Sequence, residues 1–145
     1  MTYDIPTLTS EAVGLLKSLI SIPSVSRDEA RAADCLQQYI EQQGMQTGRK
    51  GNNVWCLGPG FDLKRPTLLL NSHIDTVKPV QGWRKDPFTP RLEPNGKLYG
   101  LGSNDAGASV VSLLQAFLTL CRTAQKYNLI YLASCEEEVS GREGI

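Results

Sequence analysis

The stretch Leu68–Asp75, LLLNSHID, is an apolar run that ends in the only histidine of the chain, His73, followed two residues later by a carboxylate. The run predicts a buried strand, and α/β sheets usually place ligands at the carboxyl ends of their strands. Alternate residues of a strand share a face, so Asp75 can contact what His73 contacts. Asp75 would then accept a hydrogen bond from the ring nitrogen that does not bind a metal, which fixes the tautomer of the histidine.

A lone histidine at a strand end is also typical of a structural residue, and a short His-x-Asp pattern does not decide between the two interpretations. Further carboxylates follow along the chain. Asp105 lies in the glycine-rich segment Gly100–Gly107, and Glu136–Glu138 come directly after the apolar strand predicted at Leu129–Ala133. Together with His73, these residues describe part of a hydrolytic metal site.

Each acidic segment has a second interpretation. Asp105 is also typical of a helix cap beside flexible glycines, and Glu136–Glu138 of a solvated acidic loop. A phosphate-binding loop is disfavoured at Gly100–Gly107, because its glycine spacing is not the dinucleotide fingerprint and no P-loop lysine follows. Three carboxylates at the end of a buried strand repel one another unless a cation offsets their charge.

The chemistry expected of such a site is metal-assisted hydrolysis. One carboxylate of the acidic run would bind the metal, and its neighbour would act as general base toward a water. Oxygen-rich ligation suits zinc, cobalt or manganese. A site that keeps an exchangeable water needs at least three protein ligands per ion, and a pair of ions that share one carboxylate needs more than His73, Asp105 and Glu138 supply.

Composition narrows the function further. The 145 residues make about one domain, and 15 basic residues balance 15 acidic ones, which disfavours nucleic acid or an anionic membrane as the partner. The amino terminus lacks the pattern of a signal peptide, so we expect a cytoplasmic protein. The four cysteines are scattered, and a nucleophilic Cys135 is disfavoured because no second histidine could activate it.

Periodicity predicts alternating helices and strands. Three helices are expected: one at Thr9–Ile20, a second that follows a capping box formed by Ser26 and Glu29, and a third from Gly107 onward. A further strand is expected at residues 53–57, and residues 77–95 form a long loop that is typical of a functional segment. The strand at 129–133 is apolar on both faces, which favours a sheet with helices on both sides.

The predicted fold is therefore α/β, a three-layer sandwich with a mostly parallel mixed sheet. The chain stops directly after its most acidic segment, so we expect the sandwich to be incomplete.

Four ordered blocks resemble the M20 metallopeptidases. They are Ser72–Val77, Trp83 with Asp86–Phe88, Leu98–Asp105 and Glu136–Gly141. The resemblance implies a zinc-peptidase-like catalytic domain, and the motifs are most similar to those of acetylornithine deacetylase. It implies removal of an acyl group from an N-acyl amino acid such as N-acetylornithine, in arginine biosynthesis. A dipeptidase or carboxypeptidase acting on short peptides is the alternative.

Roles follow from the resemblance residue by residue. His73 would bind one zinc ion, Asp105 would bridge two, and Glu138 would bind the second. Glu137 would be the general base, and Asp75 would orient His73. The chain departs from the family at Leu101, where an arginine is frequent, at Gly107, where a lysine is frequent, and at Glu136, where an aspartate is common.

The resemblance also implies that residues 1–145 form the amino-terminal portion of the catalytic domain. Two more zinc ligands, the lid domain and a homodimer interface would lie beyond Ile145, so we expect the 145-residue chain alone to be inactive and to bind metal weakly. A different class of function is a non-catalytic, metal-binding or interaction domain that retains the fold.

Overall fold

Three helices pack on a four-stranded mixed sheet in the computed structural model, which describes residues 4–144. The helices are α1 (Ile5–Ile20), α2 (Ala30–Gln42) and α3 (Ser109–Leu120). The sheet consists of β1 (Thr47–Lys50), β2 (Asn53–Leu57), β3 (Thr67–His73) and β6 (Asn128–Ser134). A separate two-stranded ribbon consists of β4 (Arg91–Leu92) and β5 (Leu98–Tyr99). The α/β class with a mixed sheet, predicted from the sequence, is confirmed.

The strand order is β1-β2-β6-β3, and only the β3–β6 pairing is parallel among the four described strands. The parallel majority that we predicted is therefore not seen here. The β1–β2 pairing is antiparallel because a two-residue turn joins these strands, and β2 also pairs with β6 in the antiparallel sense. The parallel pair aligns His73 with Ser134, so both strands end at the same edge of the sheet.

The core lies on one face of the sheet. Alternating residues of β6, Leu129, Tyr131 and Ala133, are buried against the helices, and the Tyr131 hydroxyl donates to the carbonyl of Val110 in α3. The intervening residue Leu132 is only half-buried. The described residues thus supply two of the three predicted layers.

Helix α2 does not begin with the predicted capping box. It starts at Ala30, and no side chain caps its first turn. Ser26 and Glu29 instead bind partners far away in sequence: the Ser26 hydroxyl donates to Asp75, and Glu29 accepts from the backbone of Glu136. The predicted apolar face of this helix is confirmed, since Ala33, Leu36 and Ile40 are fully buried.

Strand β3 is less buried than its apolar sequence predicts. Leu68 is 41% exposed and Leu69 is 49% exposed, because β3 pairs with β6 on one side and forms the edge of the described sheet. The predicted long loop after His73 is interrupted by β4. Among residues 4–144, no helix has the length and apolar character needed to cross a membrane.

Candidate metal centre

The side chains predicted to bind metal lie together at the carboxyl edge of the sheet. Donor atoms of His73, Asp105 and Glu138 are all within 4.8 Å of one another. His73 Nε2 lies 3.1 Å from Asp105 Oδ1 and 3.7 Å from Glu137 Oε2. The side chain of His73 is 11% exposed, whereas that of Asp105 is 75% exposed, so the cluster opens to solvent on its aspartate side.

The surroundings of His73 fix which nitrogen faces the carboxylates. Nδ1 lies 3.0 Å from the backbone carbonyl oxygen of Asp75 and 3.3 Å from its Oδ1, and both of these oxygens can only accept. Nδ1 therefore carries the proton, and Nε2 of the neutral ring presents its lone pair to the Asp105 carboxylate. Two lone pairs that face each other at 3.1 Å require a cation between them or a proton on Nε2. This donor set fits a divalent cation.

The pKa shifts reflect the same excess of negative charge. Burial alone would lower the pKa of His73, but the hydrogen bond to the Asp75 carbonyl and the nearby carboxylates raise it above its usual value. Burial also raises the pKa of Glu138, and the neighbouring Asp105 carboxylate raises it further. The crowding of negative charge around His73 contributes to both shifts, and a bound cation would relieve that crowding.

Asp75 joins three segments beneath the cluster. Its side chain is fully buried. Oδ1 accepts from the amide of Glu137 at 3.1 Å, and Oδ2 accepts from the amide of Glu138 at 3.1 Å and from the Ser26 hydroxyl at 2.7 Å. The contact with His73 Nδ1 adds a fourth interaction, so this one carboxylate positions both the histidine and the acidic segment.

The acidic segment turns sharply after β6. Glu136 adopts a left-handed backbone conformation with φ of 54°, and Glu137–Val139 form one short helical turn. The amide of Gly141 donates to the carbonyl of Glu136 and closes the turn. The amides of Glu137 and Glu138 donate to the buried Asp75 carboxylate, and the side chains of both residues lie at the edge of the sheet beside His73.

The glycine-rich segment brings Asp105 to the cluster. Gly102 has φ of 72°, and a Cβ there would lie 2.6 Å from Thr76 Cγ2. The amide of Gly107 donates to the carbonyl of Gly102 at 2.8 Å, and a Cβ on Gly107 would lie 2.5 Å from that oxygen. The lysine that the resemblance leads one to expect at this position therefore has no room in this backbone. The predicted helix from Gly107 begins instead at Ser109, after an irregular helical segment at Ser103–Ala108.

Cys135 has no role as a nucleophile in this arrangement. It is 1% exposed, and burial together with the nearby Glu29 carboxylate raises the pKa of its thiol. A buried thiol with a raised pKa is a poor nucleophile at neutral pH, which agrees with the expectation from sequence.

Two residues that contact the site, Ser26 and Glu29, were not predicted from the sequence. The loop that carries them runs beside the end of β3, where Val25 bridges Thr76 in parallel. Their spacing matches a capping box, and Glu29 differs from an ordinary cap residue in its exposed fraction of 0% and in its hydrogen bond to the amide of Glu136.

Substitution of Asp75 by asparagine in the full-length, metal-loaded protein is expected to lower metal affinity or turnover by about 10–100-fold, as is usual when the partner of a metal-binding histidine is lost. An asparagine amide would present hydrogen-bond donors where Asp75 accepts from His73, Ser26 and two backbone amides. Chelator competition and steady-state kinetics measure the two effects. Native values for both in the variant would contradict the role assigned to Asp75.

Comparison with known proteins gives a consistent set of matches. A family model described as Peptidase family M20/M25/M40 matches residues 69–145. Succinyl-diaminopimelate desuccinylase of Delftia acidovorans is 29% identical, over 93% of this chain and 38% of that protein. Acetylornithine deacetylase of Proteus mirabilis is 31% identical, over 97% of this chain and 38% of that protein.

Among solved structures, a dinuclear metal-binding peptidase of the M20 family from Bacillus subtilis superimposes with a TM-score of 0.68. It shares 16% sequence identity, and the match covers 92% of this chain and 37% of that one. This likeness concerns the fold. The chain spans 38% of the length of each of the two curated relatives.

Proposed function

Since the chain belongs to the M20/M25/M40 peptidase family, we propose that it forms the metal-binding portion of an amide hydrolase that removes the acyl group from an N-acyl amino acid. The observation that carries the proposal is the convergence of His73, Asp105 and Glu138 within 4.8 Å. Glu137 stands beside them, 3.7 Å from His73 Nε2. The proposal concerns the full-length protein that carries this sequence.

We assign metal binding to His73 Nε2 and to the carboxylates of Asp105 and Glu138. A dinuclear zinc centre is the form that we propose, with Asp105 shared between the two ions and with cobalt or manganese as substitutes. The dinuclear arrangement is supported by the Bacillus subtilis protein, which is a dinuclear metal-binding peptidase. When bound, zinc would polarise the amide carbonyl and lower the pKa of a water molecule.

The residues of the chain do the proton chemistry. Glu137, whose side chain is 55% exposed, can reach substrate from the open side of the cluster. We assign to it removal of a proton from the attacking water and return of that proton to the leaving amine. Asp75 keeps the proton of His73 on Nδ1, which leaves Nε2 free to bind metal. No step is assigned to Glu136, whose side chain lies 3.8 Å from Arg27.

The substrate class is supported by the two curated relatives, succinyl-diaminopimelate desuccinylase and acetylornithine deacetylase, whose named substrates are acylated amino acids. N-acetylornithine and N-succinyl-diaminopimelate are therefore the two substrates to test first. Hydrolysis of short peptides is the second candidate, supported by the peptidase from Bacillus subtilis. The cytoplasmic location and the homodimer expected from the sequence stay predictions.

Metal removal provides the test. We expect the full-length protein to release amino acid from at least one of the two acylated substrates, to lose that activity in a chelator, and to regain it with zinc. Turnover of dipeptides alone would favour the peptidase candidate. Bound metal without turnover of any of these substrates would contradict hydrolysis and favour a non-catalytic domain.

A further inference from the structure

Glu29 is a buried carboxylate that no step above uses. It is 0% exposed and lies in the loop just before α2. Its Oε1 accepts from the amides of Arg27 at 2.6 Å and Glu136 at 3.2 Å, and its Oε2 accepts from Asn52 Nδ2 at 2.8 Å. Within residues 4–144, no basic side chain forms an ion pair with it.

A carboxylate that is fully buried without a cationic partner is costly, because desolvation of the charge must be offset by hydrogen bonds alone. Hydrophobic packing would hold α2 to the sheet at lower cost, as its buried residues Ala33, Leu36 and Ile40 already do. The purpose of a carboxylate at this position therefore lies in the groups to which it is hydrogen-bonded. One of them is the amide of Glu136, 107 residues away along the chain.

Four consecutive amides of the acidic segment donate to side-chain oxygens of other segments. Cys135 donates to Asn53 Oδ1, and Glu136 to Glu29. Glu137 and Glu138 donate to the two oxygens of Asp75. The buried carboxylates of Glu29 and Asp75 thus accept hydrogen bonds from the backbone amides of Glu136, Glu137 and Glu138.

This arrangement determines where the acidic side chains point. The two amides held by Asp75 belong to Glu137 and Glu138, whose side chains lie at the edge of the sheet with His73 and Asp105. Glu136 is the residue at which the chain adopts the left-handed conformation and leaves β6, so its amide controls the start of the turn. Glu29 binds the segment at that point, and Asp75 binds it one residue later.

We propose that Glu29 is a positioning residue for the metal centre. It fixes the backbone at Glu136 and thereby places the Glu137 and Glu138 carboxylates relative to His73. This inference rests on the proposed function, because it assigns a purpose to Glu29 through residues that act in that site. A purely structural Glu29, which only attaches the loop before α2 to the sheet, is the competing interpretation.

The contact with Asn52 offers a test that separates the two. Glu29→Gln keeps an oxygen for the amides of Arg27 and Glu136 but places an NH₂ group against the NH₂ group of Asn52. The double variant Glu29→Gln/Asn52→Asp exchanges donor and acceptor and restores that hydrogen bond. Glu41→Gln is the matched control, because it makes the same change on an exposed surface of α2.

We would measure four properties of the full-length, metal-loaded proteins: metal affinity by chelator competition, the visible spectrum of the cobalt-substituted site, kcat with KM, and Tm. E29Q is expected to alter the cobalt spectrum and to lower metal affinity or kcat by about 10–100-fold, as for other residues behind metal ligands. KM should stay within about threefold of the native value, because Glu29 touches no substrate. The double variant should regain the native spectrum and most of the lost affinity and kcat, and E41Q should match the native protein.

Two results would overturn the inference. One is an E29Q protein that has the spectrum, metal affinity and kcat of the native protein. The other is a double variant that recovers Tm but recovers neither the spectrum nor kcat, which would assign Glu29 to stability alone. A native protein that binds metal but turns over no substrate refutes the proposed function, and the spectrum and affinity still decide the role of Glu29. A native protein that binds no metal refutes both.

Discussion

Substitution of Glu137 by alanine is expected to lower kcat by about 10²–10⁴-fold, the usual contribution of a general acid–base group, while metal remains bound. Glu137 Oε2 stands 3.7 Å from His73 Nε2, and its side chain is 55% exposed, so it can reach both the cluster and a substrate. Removal of its carboxylate deletes proton transfer to and from the substrate. It leaves the donor atoms of His73, Asp105 and Glu138 in place.

The measurement is kcat together with metal content, on the full-length protein and the variant. Glu11→Ala is the control, because Glu11 is an exposed glutamate on α1. A Glu137→Ala protein with native kcat would exclude Glu137 as the base. A variant that loses its metal would show that Glu137 is a ligand instead.

Substitution of His73 by alanine should produce the opposite pattern, with loss of metal first and loss of activity as a result. His73 supplies the only imidazole of the chain, so no other histidine of these 145 residues can replace it. Loss of a residue behind a metal ligand typically costs 10–100-fold in affinity, and loss of the ligand itself should cost more than about 100-fold. Excess zinc should restore part of the activity of this variant but none of the activity of Glu137→Ala.

Chelator competition and activity measured across a zinc titration test this expectation, with Glu11→Ala again as the control. Native metal affinity in the His73→Ala protein would remove His73 from the ligand set. The two variants together therefore distinguish binding of metal from transfer of protons.

Much of the site could be predicted because its residues follow recognisable local patterns. His73 ends an apolar run, Glu137 and Glu138 follow another, and parallel strands that align in register end at the same edge of a sheet. Asp105 could be predicted from the glycines on either side of it, which permit the turn that brings it to the cluster. For His73, Glu137 and Glu138, the topology of the sheet is enough to convert these patterns into a shared location.

The rest depended on contacts between distant segments. Ser26 and Glu29 satisfy a local capping pattern, but their partners lie 49 and 107 residues away, and no local pattern signals that choice. The exposure of Leu68 and Leu69 could not be predicted either, because burial of a strand depends on what lies beside it. The short strand β1, TGRK, was missed since it has no apolar alternation.

The most direct measurement is anomalous diffraction at the zinc edge from crystals of the full-length protein grown with zinc. We predict an anomalous peak about 2.0–2.1 Å from His73 Nε2, with carboxylate oxygens of Asp105 at about 2.0–2.2 Å, and a second peak shared by Asp105 and Glu138. Glu137 should lie close to both ions without binding either. A zinc ion bound elsewhere, with His73 Nε2 free, would contradict the account.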